Sequence, residues 1–241
     1  MCLIAFAYKV HPEFPLIVVA NRDEFLDRPT EPARFWPAEP HILAGRDRKA
    51  GGTWMGITTS GRFAAVTNYR DLRLPRVEGP SRGILVRQAM EAGFAPENSE
   101  RYEGFNLLYG TIDRLMYHSN VNGETLDLPP GVHGLSNHLL NTPWPKVVRA
   151  KSRLTELLAA ELQVRDLFDL LADRTRAADP DLPDTGLDLG RERALSSIRI
   201  EMDGYGTRCS TVVLVDRTGA VTFEERVIQP PSVGRFEFSI P

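Results

Sequence analysis

Three runs of this chain are apolar with almost no alternation: Cys2 to Val10, broken only at Lys9; Leu16 to Asn21; and Ser210 to Asp216. A half-buried strand alternates apolar and polar residues, whereas a continuous apolar run marks a strand covered on both faces. The first two runs flank the turn-like His11-Pro12-Glu13-Phe14-Pro15, and the third is followed by Arg217-Thr218-Gly219 and Val221 to Val227. Each end of the chain therefore reads as a hairpin that other layers must cover. Helical layers over two packed sheets would supply that burial.

The middle of the chain provides candidates for those layers. Trp54 to Thr58 and Phe63 to Asn68 flank Thr59-Ser60-Gly61-Arg62, and Phe105 to Gly110 and Leu115 to Ser119 flank Ile112-Asp113; both read as hairpins. Asn122-Gly123 marks a further tight turn. Ile84, Leu85, Gln88, Ala89 and Ala92 share a helical face behind Ser81-Arg82-Gly83. A longer amphipathic helix starts near Trp144 and runs to Leu158, and Val164 to Ala172 reads as another, begun near Asp166. Residues 26–52, rich in Pro, Gly and charge, predict a long ordered loop or lid, and Asp179 to Gly190 a flexible surface loop.

Composition narrows the function. The 241 residues suit one large domain or two small ones, with 42% hydrophobic and 25% charged residues and a net charge of −3. A basic footprint for nucleic acid is missing. No run approaches the roughly 18 apolar residues of a membrane span, and the first run lacks a positive leader and a cleavage site, so the expected location is cytoplasmic. The two cysteines, Cys2 and Cys209, fit a reducing compartment, although they could meet in space. No nucleotide-binding glycine motif follows a strand, and His11, His41, His118, His133 and His138 form no metal spacing.

Cys2 is the first candidate for chemistry. With Met1 removed it would carry a thiol of pKa about 8.5 and an α-amine of about 7.7 to 8.0 on one carbon. The amine could take the thiol proton, so no separate histidine base is needed. Cys2 is equally a small buried hydrophobe by type. In Asn21-Arg22-Asp23-Glu24, strand periodicity sends Asn21 and Asp23 to one face and Arg22 and Glu24 to the other. A strand-end Arg could pair with a thiolate or a ligand carboxylate, or simply with a neighbour. Asn68 and Asn137 each end a short apolar segment, where an amide could donate to an oxyanion or close a turn. Gly51-Gly52-Thr53-Trp54 and Gly204-Tyr205-Gly206-Thr207 predict tight turns allowing close backbone approach.

These blocks occur in a set order, together with Arg28-Pro29, Val66-Thr67-Asn68-Tyr69, Gly104-Phe105-Asn106-Leu107, Gly134-Leu135-Ser136-Asn137, Thr142-Pro143-Trp144 and the Arg208 that follows Thr207. From residue 1 to about 227 the chain resembles the NRDE family, also called the transport and Golgi organisation protein 2 family. The resemblance implies an α+β fold, the four-layer αββα sandwich of N-terminal-nucleophile hydrolases, as a single domain over 1–241. It also implies a distant similarity to the cysteine amidases of the bile salt hydrolase and penicillin V acylase group. Carried over by position, Cys2 is the nucleophile, Arg22 its charged neighbour, Asp23 the holder of the α-amine, and Asn68 and Asn137 the oxyanion donors. The amidases separate Arg and Asp by two residues, whereas Arg22 and Asp23 are adjacent, so Asn21 and Glu24 are the alternatives. Asn21, Glu24, Trp54, Tyr69 and Arg208 are expected around the ligand.

The family's associations imply a protein that binds or traffics haem or an acyl or lipid metabolite. No required cofactor and no metal are expected, and haem would enter as a ligand. The alternative is an active amidase that cleaves a linear C–N bond through a Cys2 thioester. A scaffold acting through protein partners is the weaker third reading.

Overall fold

A computed structural model describes residues 3–241. Walking the chain, β1 (Leu3–Tyr8) and β2 (Leu16–Phe25) form the first hairpin, and β3 (Thr30–Trp36), β4 (Glu39–Asp47), β5 (Met55–Thr58) and β6 (Phe63–Asn68) follow. Helix α1 (Arg82–Ala89) leads to β7 (Phe105–Gly110), β8 (Leu115–Ser119), β9 (Thr125–Asp127) and β10 (Gly131–Leu135). Helices α2 (Pro145–Leu158), α3 (Val164–Leu171) and α4 (Leu189–Ala194) precede β11 (Glu201–Met202), β12 (Tyr205–Val215), β13 (Ala220–Val227) and β14 (Ser232–Ser239).

Two antiparallel sheets result. One has the order β10-β1-β2-β12-β13-β14, with β11 on β12, and so joins the two ends of the chain at its centre. The other is the meander β3 to β9 in sequence order. The continuous apolar runs become intelligible here. Leu3, Ala5, Ile17, Val19, Val212 and Leu214 pack against α2 and α3, while Ile4, Phe6, Val18, Ala20 and Val213 pack against the second sheet. Helix α1 covers the outer face of the second sheet through Leu85, Val86 and Ala89 against Ile42, Ala64 and Leu107. The layers are therefore αββα, as the sequence predicts.

Residues 26–52 are not a loop. They form β3 and β4, paired with each other and, through β4, with β5. Pro32 hid this hairpin, but β3 is an edge strand, where a missing N–H breaks no ladder. Asp179 to Gly190 is also more ordered than expected: Thr185 is buried, and its N–H and hydroxyl both donate to Glu192 Oε1 of α4. Among the described residues no helix is long and apolar enough to cross a membrane.

Candidate functional site

The site grows from the end of β2. Its residues alternate as strand periodicity requires, and the β12 partner carries a register shift between Thr207 and Cys209, so that Cys209 rather than Arg208 lies opposite Arg22. Asn21 lies opposite Ser210, and Asp23 opposite Thr207, on the face toward α3. Asn21 Nδ2 donates to the carbonyls of Leu171 and Ile198, both at 2.9 Å, and Ser210 Oγ donates to Asn21 Oδ1 at 2.6 Å. Thr207 Oγ1 donates to Asp23 Oδ1 at 2.6 Å. Neither Asn21 nor Asp23 lines the cavities described below.

Arg22 and Glu24 face the other way, into the end of the space between the sheets. Arg22 is 4% exposed, and its Cζ lies 4.3 Å from the Trp54 ring centroid. Its nearest carboxylate is Glu24, at 3.9 Å, and its Nη1 has no hydrogen-bond partner among the described residues. Burial lowers its pKa, against the opposing pull of Cys209 and Glu24. In front of it is a cavity of about 410 Å³, bordered by Glu24, Trp54, Asn68, Lys49 and the first turn of α1 at Ser81 to Gly83. Asp47 also borders it, and despite burial the Arg28 guanidinium at 2.7 Å holds that carboxyl below its ordinary range. Gly52 matters through contact: a Cβ there would lie 2.3 Å from the Gly83 carbonyl carbon, so only glycine lets this turn rest on the start of α1.

A second opening, of about 620 Å³, adjoins the first at Asn68, Arg82 and Glu103 and contains Tyr69 and Asn137. The structure brings the two asparagines together: Asn137 Nδ2 donates to the Asn68 carbonyl at 3.0 Å. Tyr69 Oη lies 2.9 Å from His138 Nε2, and His138 Nδ1 lies 2.8 Å from Thr142 Oγ1. Burial raises the Tyr69 pKa and lowers that of His138. Arg208 lies apart from both openings, donating from Nη1 to the carbonyls of Phe25 and Arg28. Cys2 lies outside the described residues. Among the described residues no cluster of His, Cys, Asp or Glu could hold a metal ion.

Sequence reasoning missed Asp47, Lys49, Glu103 and Glu225. Glu225 alone had a signal. It holds an inward position of β13 in phase with Val221 and Phe223, where a carboxylate breaks the apolar pattern. The others reach the site from loops and strand ends with no periodicity to place them.

A family model described as Transport and Golgi organisation 2 matches residues 1–230. The Transport and Golgi organization protein 2 homolog of Bos taurus is 35% identical over 267 residues, covering 98% of this chain and 96% of that protein. Its counterpart in Homo sapiens is 33% identical over 270 residues, with the same coverage of 98% and 96%. Among solved structures, the C2A mutant of conjugated bile acid hydrolase from Clostridium perfringens matches with a TM-score of 0.55 and 8% identity, covering 99% of this chain and 92% of that one. That likeness concerns the fold, which is that of the N-terminal-nucleophile hydrolases. The sequence matches go further: this chain belongs to the Transport and Golgi organisation 2 family.

Proposed function

We propose that the protein binds a small organic ligand, haem or an acyl or lipid metabolite, in the cleft in front of Arg22, with the Cys2 thiol as candidate nucleophile. One observation carries this reading: a guanidinium 4% exposed, with Nη1 unpartnered among the described residues, borders an open cavity. Burying a cation costs several kcal/mol when it is poorly matched. A ligand with a carboxylate or phosphate would supply the missing acceptor. Side chains able to ligate haem iron include Tyr and Cys. Tyr69 borders the opening that adjoins the cleft and Cys209 a cavity behind Arg22, but Tyr69 is hydrogen-bonded to His138 and Cys209 is buried, so the acyl metabolite fits better. The test is titration with palmitoyl-coenzyme A by calorimetry and with haemin by absorbance. Saturable binding of either, weakened tenfold or more in Arg22→Met, is expected. No saturation by either probe would overturn the reading.

The register of β1 favours the second reading, amide hydrolysis. Leu3 lies opposite Asn21, so the described part of β1 begins beside the end of β2 that carries Arg22. In this reading Cys2 is the nucleophile. Its proton would pass to the α-amine, and sulfur would add to the amide carbonyl carbon. The C–N bond would break as the amine leaves with that proton, and water would then hydrolyse the thioester to acid and free thiol. An acyl adduct on Cys2 in the intact mass, with turnover lost but binding kept in Cys2→Ala, is the expected result. Absence of both adduct and amine release would remove this reading and leave the binding one standing.

A further inference from the structure

The wider opening, of about 620 Å³, is walled in part by Tyr69, and the groups behind that tyrosine form a chain. Tyr69 Oη lies 2.9 Å from His138 Nε2, and His138 Nδ1 lies 2.8 Å from Thr142 Oγ1. Of these three, only Tyr69 borders the opening, so its hydroxyl is the member that a ligand would meet. Both sides of the chain are fixed through the backbone. Beyond the end of β6, the N–H groups of Tyr69 and Arg70 donate to the carbonyls of Gly104 and Asn137, at 2.9 and 2.8 Å. The His138 carbonyl accepts from Asn106 Nδ2 at 3.1 Å, and its ring packs on those of Tyr69 and Trp144, with centroids 4.9 and 5.7 Å away.

Two other tyrosines show what a structural hydroxyl looks like here. Tyr8 Oη donates to the Asp113 carbonyl and accepts the Leu115 N–H, and Tyr117 Oη donates to Asn106 Oδ1 and accepts the Leu140 N–H. The Tyr69 hydroxyl meets a titratable ring instead. Burial pushes the two groups apart. It raises the Tyr69 pKa, so the hydroxyl keeps its proton until a base takes it, and it lowers that of His138, so the imidazole is neutral and able to take it. Asp71 pulls the His138 value the other way and would stabilise an imidazolium once formed. A nucleophile in contact with a base that a third group orients is the arrangement that activates a hydroxyl.

We propose that Tyr69 is a nucleophilic hydroxyl, with His138 as its base and Thr142 orienting the imidazole, and that it takes an activated acyl group, an ester or thioester. His138 Nδ1–H then donates to Thr142 Oγ1, and Nε2 accepts from Tyr69. Oη adds to the acyl carbonyl carbon as its proton passes to Nε2. The bond from that carbon to the leaving oxygen or sulfur breaks, and the leaving group takes the proton from Nε2. The acyl group is left as an aryl ester on Tyr69, which water hydrolyses to the acid and the free hydroxyl. Unlike a Cys2 thioester, this route keeps its base whether or not Met1 is removed. It rests on the reading of the cleft as an acyl-ligand site.

Benzenesulfonyl fluoride reads the hydroxyl directly: Oη adds to sulfur, fluoride leaves and Nε2 takes the proton. The full chain is treated with it and the labelled tyrosines are mapped by peptide mass, with Tyr205, which borders the same opening, as the internal reference. Tyr69 should label at least tenfold faster than Tyr205. His138→Phe keeps a ring against Trp144 but no base, and should cut the Tyr69 rate at least tenfold. Thr142→Val should cut it about threefold, with the Tyr205 rate unchanged in both variants. Labelling of Tyr69 no faster than Tyr205, or a Tyr69 rate unmoved by His138→Phe, overturns the proposal. Should His138→Phe not unfold cooperatively, His138→Gln carries the same comparison. The acyl class is read with p-nitrophenyl hexanoate, whose release of nitrophenol should fall at least tenfold in Tyr69→Phe, and an unchanged rate removes that class. Fast, His138-dependent labelling without saturation by palmitoyl-coenzyme A or haemin means that the ligand reading has failed and the Tyr69–His138 pair has not. Saturation with a slow Tyr69 means the reverse.

Discussion

Asn21 and Arg22 are neighbours in one strand, both buried, and opposite in what surrounds them. Asn21 uses both amide hydrogens on backbone carbonyls and its oxygen on Ser210, tying β2 to the C-terminal end of α3, to Ile198 and to β12. Arg22 has an indole, a carboxylate at 3.9 Å and an Nη1 unpartnered among the described residues. Burial alone does not separate a structural polar group from a functional one. Saturation does: a fully bonded side chain has nothing to offer a ligand, whereas an under-bonded buried cation is stabilised by one.

The largest expected effect tests the saturated side. Asn21→Ala leaves two carbonyls and a hydroxyl without their partner in a buried layer, at about 1–3 kcal/mol for each group. Urea unfolding should show a loss of about 3–5 kcal/mol. A loss below about 1 kcal/mol would put the two faces on the same footing and dissolve the comparison. A smaller effect is expected on the other side. Arg22→Met gives up a desolvated cation–π contact worth about 2 kcal/mol but also removes a burial penalty of several kcal/mol. Stability should stay within about 1 kcal/mol of the parent while ligand affinity falls, and a large loss of stability would make Arg22 a structural residue like Asn21.

The smallest effect sharpens the comparison by acting on neither face. His118, His133 and His138 are all held below the ordinary imidazole pKa by burial. His133 shows why. Its Nε2 faces the Pro129 carbonyl at 2.9 Å and so carries the proton, which leaves Nδ1 to accept from Asn141. A second proton would cost that bond. The unfolded chain therefore binds more protons than the folded one below about pH 6.5. The stabilising contribution is whole above that pH and is lost as pH falls through the lowered values. Asp47 and Glu39, held low by arginine partners, titrate below this window. Glu225, pushed up by burial and held down in part by Arg22, acts with the opposite sign, so the comparison is made with Arg22 in place. The thermal midpoint should fall between pH 6.5 and 5 with the parent's slope in Asn21→Ala. It should fall less steeply in His133→Gln, and an unchanged slope there would remove His133 from the account.

Much of this architecture was legible because it is local. The hairpins at both chain ends, the 54–68 and 105–119 hairpins, α2 and α3 all follow from period 2 or period 3.6 in short windows. The hairpin of β3 and β4 was not legible. Its prolines and charges say loop until the edge position of β3 excuses them. The last strand, β14, was missed for a similar reason: it alternates weakly, lies at an edge and exposes Val233. Within the site, the sequence put Arg22, Asn68 and Trp54 in sight as members of separate blocks. It could not show that Arg22 and Trp54 touch or that Asn137 holds the Asn68 carbonyl.

The sequence by itself determined the phase of the Asn21–Glu24 segment, because alternation along a strand needs no knowledge of its neighbours. It also determined that the terminal strands must be covered on both faces, since their apolar residues run on without the alternation that would leave one face to water. Only the tertiary structure decided which face of that segment is sealed by helix and which opens into a cleft. Only it set Gly45 against the Trp54 indole and Glu225 in the wall of the cavity behind Arg22. Those outcomes depend on groups that are 9 to about 200 residues apart in the chain and are brought within a few ångströms by the packing of two sheets, a contact that no local pattern encodes.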